Sequence, residues 1–206
     1  LLRMNAYPME LGTYGSRTAF PYKSHPIIGA EKGDKAEWAA FADSLRACGL
    51  TPMASQMLWS RAGFVANHPE YKHLAVRPDL DVSTGGSKAT HDRNLCVSNP
   101  ETEKVLHELV AEALDTVKSP LFHIHHDEVN YDDMNTNPLD KARNLTRAQY
   151  VVETALKTHD FLAKRGVQMC MWADMFDPEQ NGKALEESGP ELLAKLPKDI
   201  ILFDWK

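Results

Sequence analysis

The chain has 206 residues, 43% of them apolar and 25% charged, which is the balance of a globular domain and excludes a collagen-like, mucin-like or wholly disordered chain. Twenty-three basic residues against 29 acidic ones give a net charge of −6, and no basic run exceeds two residues, so no nucleic-acid partner is expected, because phosphate binding needs clustered cations. No stretch approaches the roughly 18 consecutive apolar residues of a membrane span, and the length suits one large domain over residues 1–206.

Five short apolar runs read as strands, at residues 1–8, 52–58, 121–126, 168–172 and 200–204. Most are continuous rather than alternating, as in parallel strands buried on both faces. Three periodic helices lie between them. The first spans 34–47, with Asp34 and Glu37 at a capping-box-like spacing and an apolar face of Trp38, Phe41, Ala42 and Leu45. The second follows Asn99-Pro100, a cap residue before a proline at the first helical position, and buries Val105, Leu106, Leu109, Val110, Ala113 and Val117. The third starts at Thr146 with Gln149 and stops at Gly166. A weaker helix covers about 183–196, interrupted by Pro190.

The alternating order predicts parallel βα units. Helix-to-strand connections are short, whereas strand-to-helix connections are long: about 9–33, 59–98, 127–145 and 173–182. Long loops are uncommon unless functional, and these all leave the carboxyl ends of strands, where (β/α)8 barrels build their sites. The expected fold class is therefore α/β, a (β/α)8 TIM barrel incomplete at both ends, since the sequence begins and ends within apparent core strands. A doubly wound sheet is the alternative, but neither GxGxxG nor GxxxxGK is present. Cys48, Cys96 and Cys170 are an odd, widely separated set with no CxxC, which excludes a stapled scaffold and a zinc knuckle. Unpaired thiols lean toward the cytoplasm.

The densest polar cluster is Phe122-His123-Ile124-His125-His126-Asp127-Glu128-Val129, followed by Tyr131, Asp132 and Asp133. Two chemistries fit it. Glycoside hydrolysis needs a carboxylic acid at the leaving oxygen and a second group at the anomeric carbon, and adjacent carboxylates diverge toward different sides of a sugar. Alternatively, His123 and His125, two apart on a strand, share one face and suit a divalent metal. His68, His73 and His91 show no recognisable ligand spacing. Two further strands deliver Trp172 with Asp174, and Asp204 with Trp205, to the same rim. Indole walls suit the apolar faces of sugar rings, and carboxylates and amides suit their hydroxyls.

These residues resemble the catalytic barrel of family 20 glycoside hydrolases, the β-N-acetylhexosaminidases, and most of all its hexosaminidase D-like branch. The resemblance covers nearly the whole chain. Met4-Asn5 with Tyr7 and Glu10 is similar to an early family strand, and 49–56 to a strand ending in Pro-x-x-Gln. Phe122 to Val129 resembles F-H-I-G-x-D-E-V; 166–176 and 196–205 resemble later strands. The resemblance implies Glu128 as general acid and base, and Asp127 as the group orienting the 2-acetamido group, whose carbonyl is the nucleophile. It implies Trp172 and Trp205 as walls, and Asp174, Glu10, Gln56 and His123 as substrate-binding residues, with no metal and no cofactor. The partner would be a small-molecule or oligosaccharide substrate bearing a terminal N-acetylhexosamine. A carbohydrate-binding relative without turnover is the remaining alternative. The chain departs from the pattern at His125-His126, where the family has a small pair, at Met169, where it has proline, and at Met57-Leu58-Trp59-Ser60-Arg61, where a Gly-His pair follows the glutamine.

Overall fold

The computed structural model describes residues 5–13, 17–30, 33–80, 93–129 and 134–205. His91, Tyr131, Asp132 and Asp133 lie outside them. Five parallel strands form one sheet: β1 (Ala6–Glu10), β4 (Thr51–Ser55), β5 (Leu121–His123), β6 (Gln168–Trp172) and β7 (Ile201–Phe203). Their order across the sheet follows their order in the chain. A doubly wound sheet reverses direction midway; consecutive neighbours are the arrangement of a barrel wall. A small antiparallel pair, β2 (Gly12–Thr13) and β3 (Arg17–Thr18), rises from the loop after β1.

The helices form where their caps predict. Helix α1 (Lys35–Ala47) begins at Asp34, whose carboxylate accepts from the Ala36 N–H at 2.9 Å. Its inner face is narrower than the sequence pattern implies. Ala42 and Leu45 are buried, but Phe41 is exposed and meets Tyr7 edge-on at 5.9 Å. A four-residue helix, α2 (Gly63–Ala66), opens the long loop after β4. Helix α3 (Pro100–Val117) is capped by Asn99 and buries all six predicted apolar residues. A short α4 (Pro138–Arg143) precedes α5 (Arg147–Lys164), which carries the complete Thr146–Gln149 capping box. The weaker helix is corrected by the structure. Residues Asn181–Ala184 form only a 3-10 turn, and α6 (Gly189–Lys195) starts at its own capping box, Ser188 with Glu191. Pro190 therefore initiates this helix, because its missing N–H is not needed in a first turn.

Strand limits also shift. The first strand occupies Ala6–Glu10, and its Tyr7 and Pro8 are exposed, so it is not buried on both faces as β4 and β5 are. The third ends at His123 instead of residue 126, because His125 and His126 adopt left-handed backbone, with φ of 59° and 67°.

The main core lies between the sheet and α1, α3, α5 and α6. A smaller cluster of Met53, Leu121 and Cys170, with Ala6, Ile201 and Phe203 against it, fills the concave face. The loop after β6 is held against α6 by close backbone contact: a Cβ on Gly189 would lie 1.8 Å from the Phe176 carbonyl oxygen. Gly189→Ala must push the 174–176 turn away, and overpacking of this kind costs about 1–3 kcal/mol. Urea denaturation should show that loss. An unchanged midpoint would mean that the two segments are not locked together.

Candidate active site

A cavity of about 570 Å³ opens at the carboxyl ends of the strands, lined by Glu10, Gly12, Gln56, Met57, Arg61, His125, Asp127, Glu128, Trp172 and Trp205. Six of the expected site residues thus meet around one hollow: Asp127, Glu128, Trp172, Trp205, Glu10 and Gln56. They come from positions nearly 200 residues apart, because parallel strands deliver all their carboxyl ends to one rim.

The loop after β5 builds the acidic centre. Backbone bonds tie it to both neighbours: Gln56 N–H donates to the His123 carbonyl at 3.0 Å, Ile124 N–H to Cys170 at 2.9 Å, and Trp172 N–H to His125 at 3.0 Å. His126 turns inward and is buried. Its Nε2 lies 2.6 Å from the Thr154 hydroxyl, whose own hydrogen goes to the Tyr150 carbonyl at 2.7 Å, so Nε2 carries the proton and donates. Glu128 also has left-handed backbone, φ 43°, and its N–H donates to Asp174 Oδ2 at 3.1 Å.

Asp174 and His123 sit beneath the cavity wall instead of lining it. Asp174 is wholly buried, and its Oδ2 also accepts from Asn181 Nδ2 at 2.7 Å. Burial pushes its pKa up, opposed by Asn181, His126 and the Trp205 side chain beside it. His123 is 2% exposed. Its ring packs edge-on against Trp172 (4.8 Å) and Phe203 (5.3 Å), and its Nδ1 accepts from the His125 N–H at 3.2 Å. Both residues support the groups that face the hollow. In the sequence they carry the same signal as cavity residues, and only the local turn separates the two cases.

Three side chains at the cavity were not predicted as substrate contacts: Met57, Arg61 and His125. His125 Nε2 lies 2.8 Å from Ser55 Oγ and 3.1 Å from Glu10 Oε2. Ser55 in turn donates to Glu10 Oε1 at 3.1 Å. Burial alone would raise the Glu10 pKa, but the His125 hydrogen bond and charge, with Ser55, bring it below the usual value. Arg61 reaches both acids, pairing with Glu128 and lying 3.7 Å from Asp127 Oδ2. Burial raises the Asp127 pKa, opposed first by His125 and then by Arg61. The signal for Arg61 was present: a lone arginine within the largely apolar stretch 57–66 of the long loop after β4 needs a polar partner.

The metal reading assumed that His123 and His125 share a strand face. They do not, since the strand ends between them and their rings meet edge-on at 5.1 Å. Among the described residues, no group of three or more His, Cys, Asp or Glu side chains is arranged to hold a metal ion. Likewise, no helix among them is long and apolar enough to cross a membrane.

A barrel wall with paired acids and indole rings at its carboxyl rim has the layout of a glycosidase catalytic domain. Residues 61–206 match the glycosyl hydrolase family 20 catalytic domain, and the chain belongs to that family. Among solved structures, it is similar to a Flavobacterium johnsoniae chitobiase at a TM-score of 0.75 and 19% identity, covering 98% of this chain and 29% of that one. A β-N-acetylhexosaminidase from Bacteroides fragilis gives 0.73 and 15%, covering 98% and 40%. An exo-β-N-acetylglucosaminidase from Vibrio harveyi, solved with N-acetylglucosamine, gives 0.71 and 14%, covering 98% and 33%. The chain therefore spans less than half the length of each. At these identities the likeness concerns the fold, an incomplete TIM barrel. No curated protein sequence matches.

The buried histidines make stability depend on pH. Burial, the larger cause in each case, holds His123 down to about 3 and His126 to about 4, whereas unfolded histidine titrates near pH 6.5. Below that value the unfolded chain binds more protons than the folded one, so stability falls as pH drops. The raised carboxyls of Asp127 and Asp174 act in the opposite sense, and the histidine contribution sets in below about pH 6.5. Each histidine contributes at most about 1.4 kcal/mol per pH unit there. Urea midpoints should be lower at about pH 5 than at pH 7, and equal midpoints would mean that the two rings are not buried neutral.

Proposed function

We propose that the chain is the acid-bearing part of an exo-acting glycoside hydrolase that removes terminal β-linked N-acetylhexosamine with retention of configuration. The observation that carries this reading is the convergence of Asp127, Glu128, Trp172 and Trp205 on one cavity. Family membership supplies the reaction class.

In this reading the substrate's own acetamido carbonyl oxygen attacks C1 while Glu128 protonates the glycosidic oxygen, and the aglycone leaves. Asp127 holds the acetamido N–H and balances the positive charge of the oxazolinium that forms. Glu128, now a carboxylate, takes a proton from water as the water oxygen attacks C1 from the side the aglycone left. Two displacements at one carbon restore the original configuration. Substrate assistance of this kind is an exception to the scheme of two enzyme carboxylates. Burial of Asp127 strengthens its attraction for the developing cation, since the local dielectric is low.

The ≈570 Å³ cavity lies within the range of ordinary ligand sites and has room for a sugar ring. Trp172 and Trp205 would flank the ring and the acetamido methyl, with Glu10 and Gln56 at the hydroxyls. His123 and Asp174 would act from behind, by fixing Trp172 and the Glu128 turn. Glu128→Gln keeps the shape and removes the proton, so release of an aryl β-N-acetylglucosaminide should fall about 10²–10⁴-fold with unchanged circular dichroism. Proton NMR of early product should show the β anomer first. Wild-type rates in Glu128→Gln, or α anomer as first product, would overturn this reading.

A further inference from the structure

Arg61 occupies a position that no simple acid catalyst would choose for its partner. A general acid must hold a proton before it can give one, yet an adjacent guanidinium favours the carboxylate over the neutral acid. Arg61 nevertheless pairs with Glu128 and approaches Asp127 to 3.7 Å. Its side chain is 17% exposed, against 16% for Asp127 and 40% for Glu128, so the contact is better shielded than a surface ion pair.

The placement of Arg61 is built, not incidental. Its backbone is left-handed, φ 50°, and its neighbours are tied to the scaffold. Trp59 Nε1 donates to Thr158 at 2.8 Å, Tyr150 donates to the Trp59 carbonyl at 3.1 Å, and Ala62 N–H donates to the Arg93 carbonyl at 2.7 Å. Both tethers from α5 lie within two residues of Arg61. Among the described residues lining the cavity, Arg61 is the one permanent cation.

We propose that Arg61 is a positioning residue that moves between the two acids and thereby sets when Glu128 is protonated. In the empty site it holds Glu128 as a carboxylate. Substrate entry brings the glycosidic oxygen toward Glu128 and displaces the guanidinium onto Asp127 Oδ2, 3.7 Å away, which leaves the buried Oδ1 to accept the acetamido N–H. Glu128 then takes a proton from solvent and gives it to the leaving oxygen as the C1–oxygen bond breaks and the acetamido oxygen bonds to C1. The carboxylate left behind recovers Arg61 and is ready to accept a proton from water. The charged and titratable groups facing Glu128 in this exchange are Arg61 from the loop after β4, Asp127 beside it, and His125 and Glu10 across the cavity. Asp174 reaches it through the backbone N–H. The exchange rests on the assignment of Glu128 as the acid given above.

The test follows Glu128 itself by ¹³C NMR of the side-chain carboxyl, identified by its loss in Glu128→Gln. In Arg61→Gln the Glu128 midpoint should rise by about one to three pH units. Arg61→Lys, a point charge without the planar fork, should give an intermediate value and guards against misfolding of the neutral variant. Kinetically, kcat/KM of Arg61→Gln should persist to higher pH than wild type by the same interval. A Glu128 midpoint that is unchanged or lowered in both variants overturns the proposal. Titration needs no turnover, so an inactive chain with a shifted midpoint would sink the hydrolase reading and with it the exchange, whereas an active chain with an unshifted midpoint would sink the exchange alone.

Discussion

The site depends on one strained turn. After His123 the chain leaves β5 with positive φ at His125, His126 and Glu128. Non-glycine residues adopt this conformation at a cost of about 1–2 kcal/mol each, so such a turn persists only where its surroundings over-determine it. Here they do. Backbone bonds to β4 and β6 clamp it from both sides, Thr154 fixes His126, and Asp174 accepts the Glu128 N–H. The consequence is directional. His126 points down into the core, while His125, Asp127 and Glu128 turn to the cavity. An extended strand would have alternated these side chains between opposite faces.

The electrostatics follow from that geometry. The turn places two carboxylates side by side, and burial disfavours the charge of Asp127. Arg61 and His125 counter this from opposite sides, and each reaches a carboxylate: Arg61 the acidic pair, His125 the Glu10 side chain. Beneath them, His123 and His126 stay neutral because desolvation outweighs the neighbouring acids. A charged imidazole beside Trp172 would stabilise Glu10 as an anion, which His125 and Ser55 already do.

Much of this was legible in the sequence, and the reasons are local. Asn99-Pro100 and Thr146 with Gln149 announce helices because a cap is satisfied within four residues. The acid pair and both indoles were legible because each stands at the end of a short apolar run that reads as a strand. What stayed hidden depends on tertiary contact. Nothing near His125 or His126 signals left-handed backbone; that conformation is imposed by β4, β6 and Thr154. Asp174 reads as a rim carboxylate, yet its partners are the Glu128 amide and Asn181. Phe41 fits the helical stripe but lies beyond the edge of the buried face. The small pair that the family places at 125–126 has a plain physical meaning in this light: glycine adopts positive φ freely, and two histidines meet the same demand at a cost that their hydrogen bonds offset.

The strand register explains why the polar cavity does not flood the core. Met53 pairs in register with Leu121, and two residues further on Ser55 pairs with His123 and with Glu10. One pleat therefore separates the apolar pair Met53 and Leu121 from the polar Glu10, Ser55 and His123, while Cys170, in register with His123, stays apolar. Two-residue periodicity makes so sharp a boundary possible, because each strand needs a single substitution at an inward position to change the character of its layer. The boundary also sets the depth at which chemistry is possible. Ser55 and His123 are nearly dry, Glu10 is half exposed, and the acid pair lies just above them, where carboxylates feel a low dielectric yet remain open to a ligand entering from the rim.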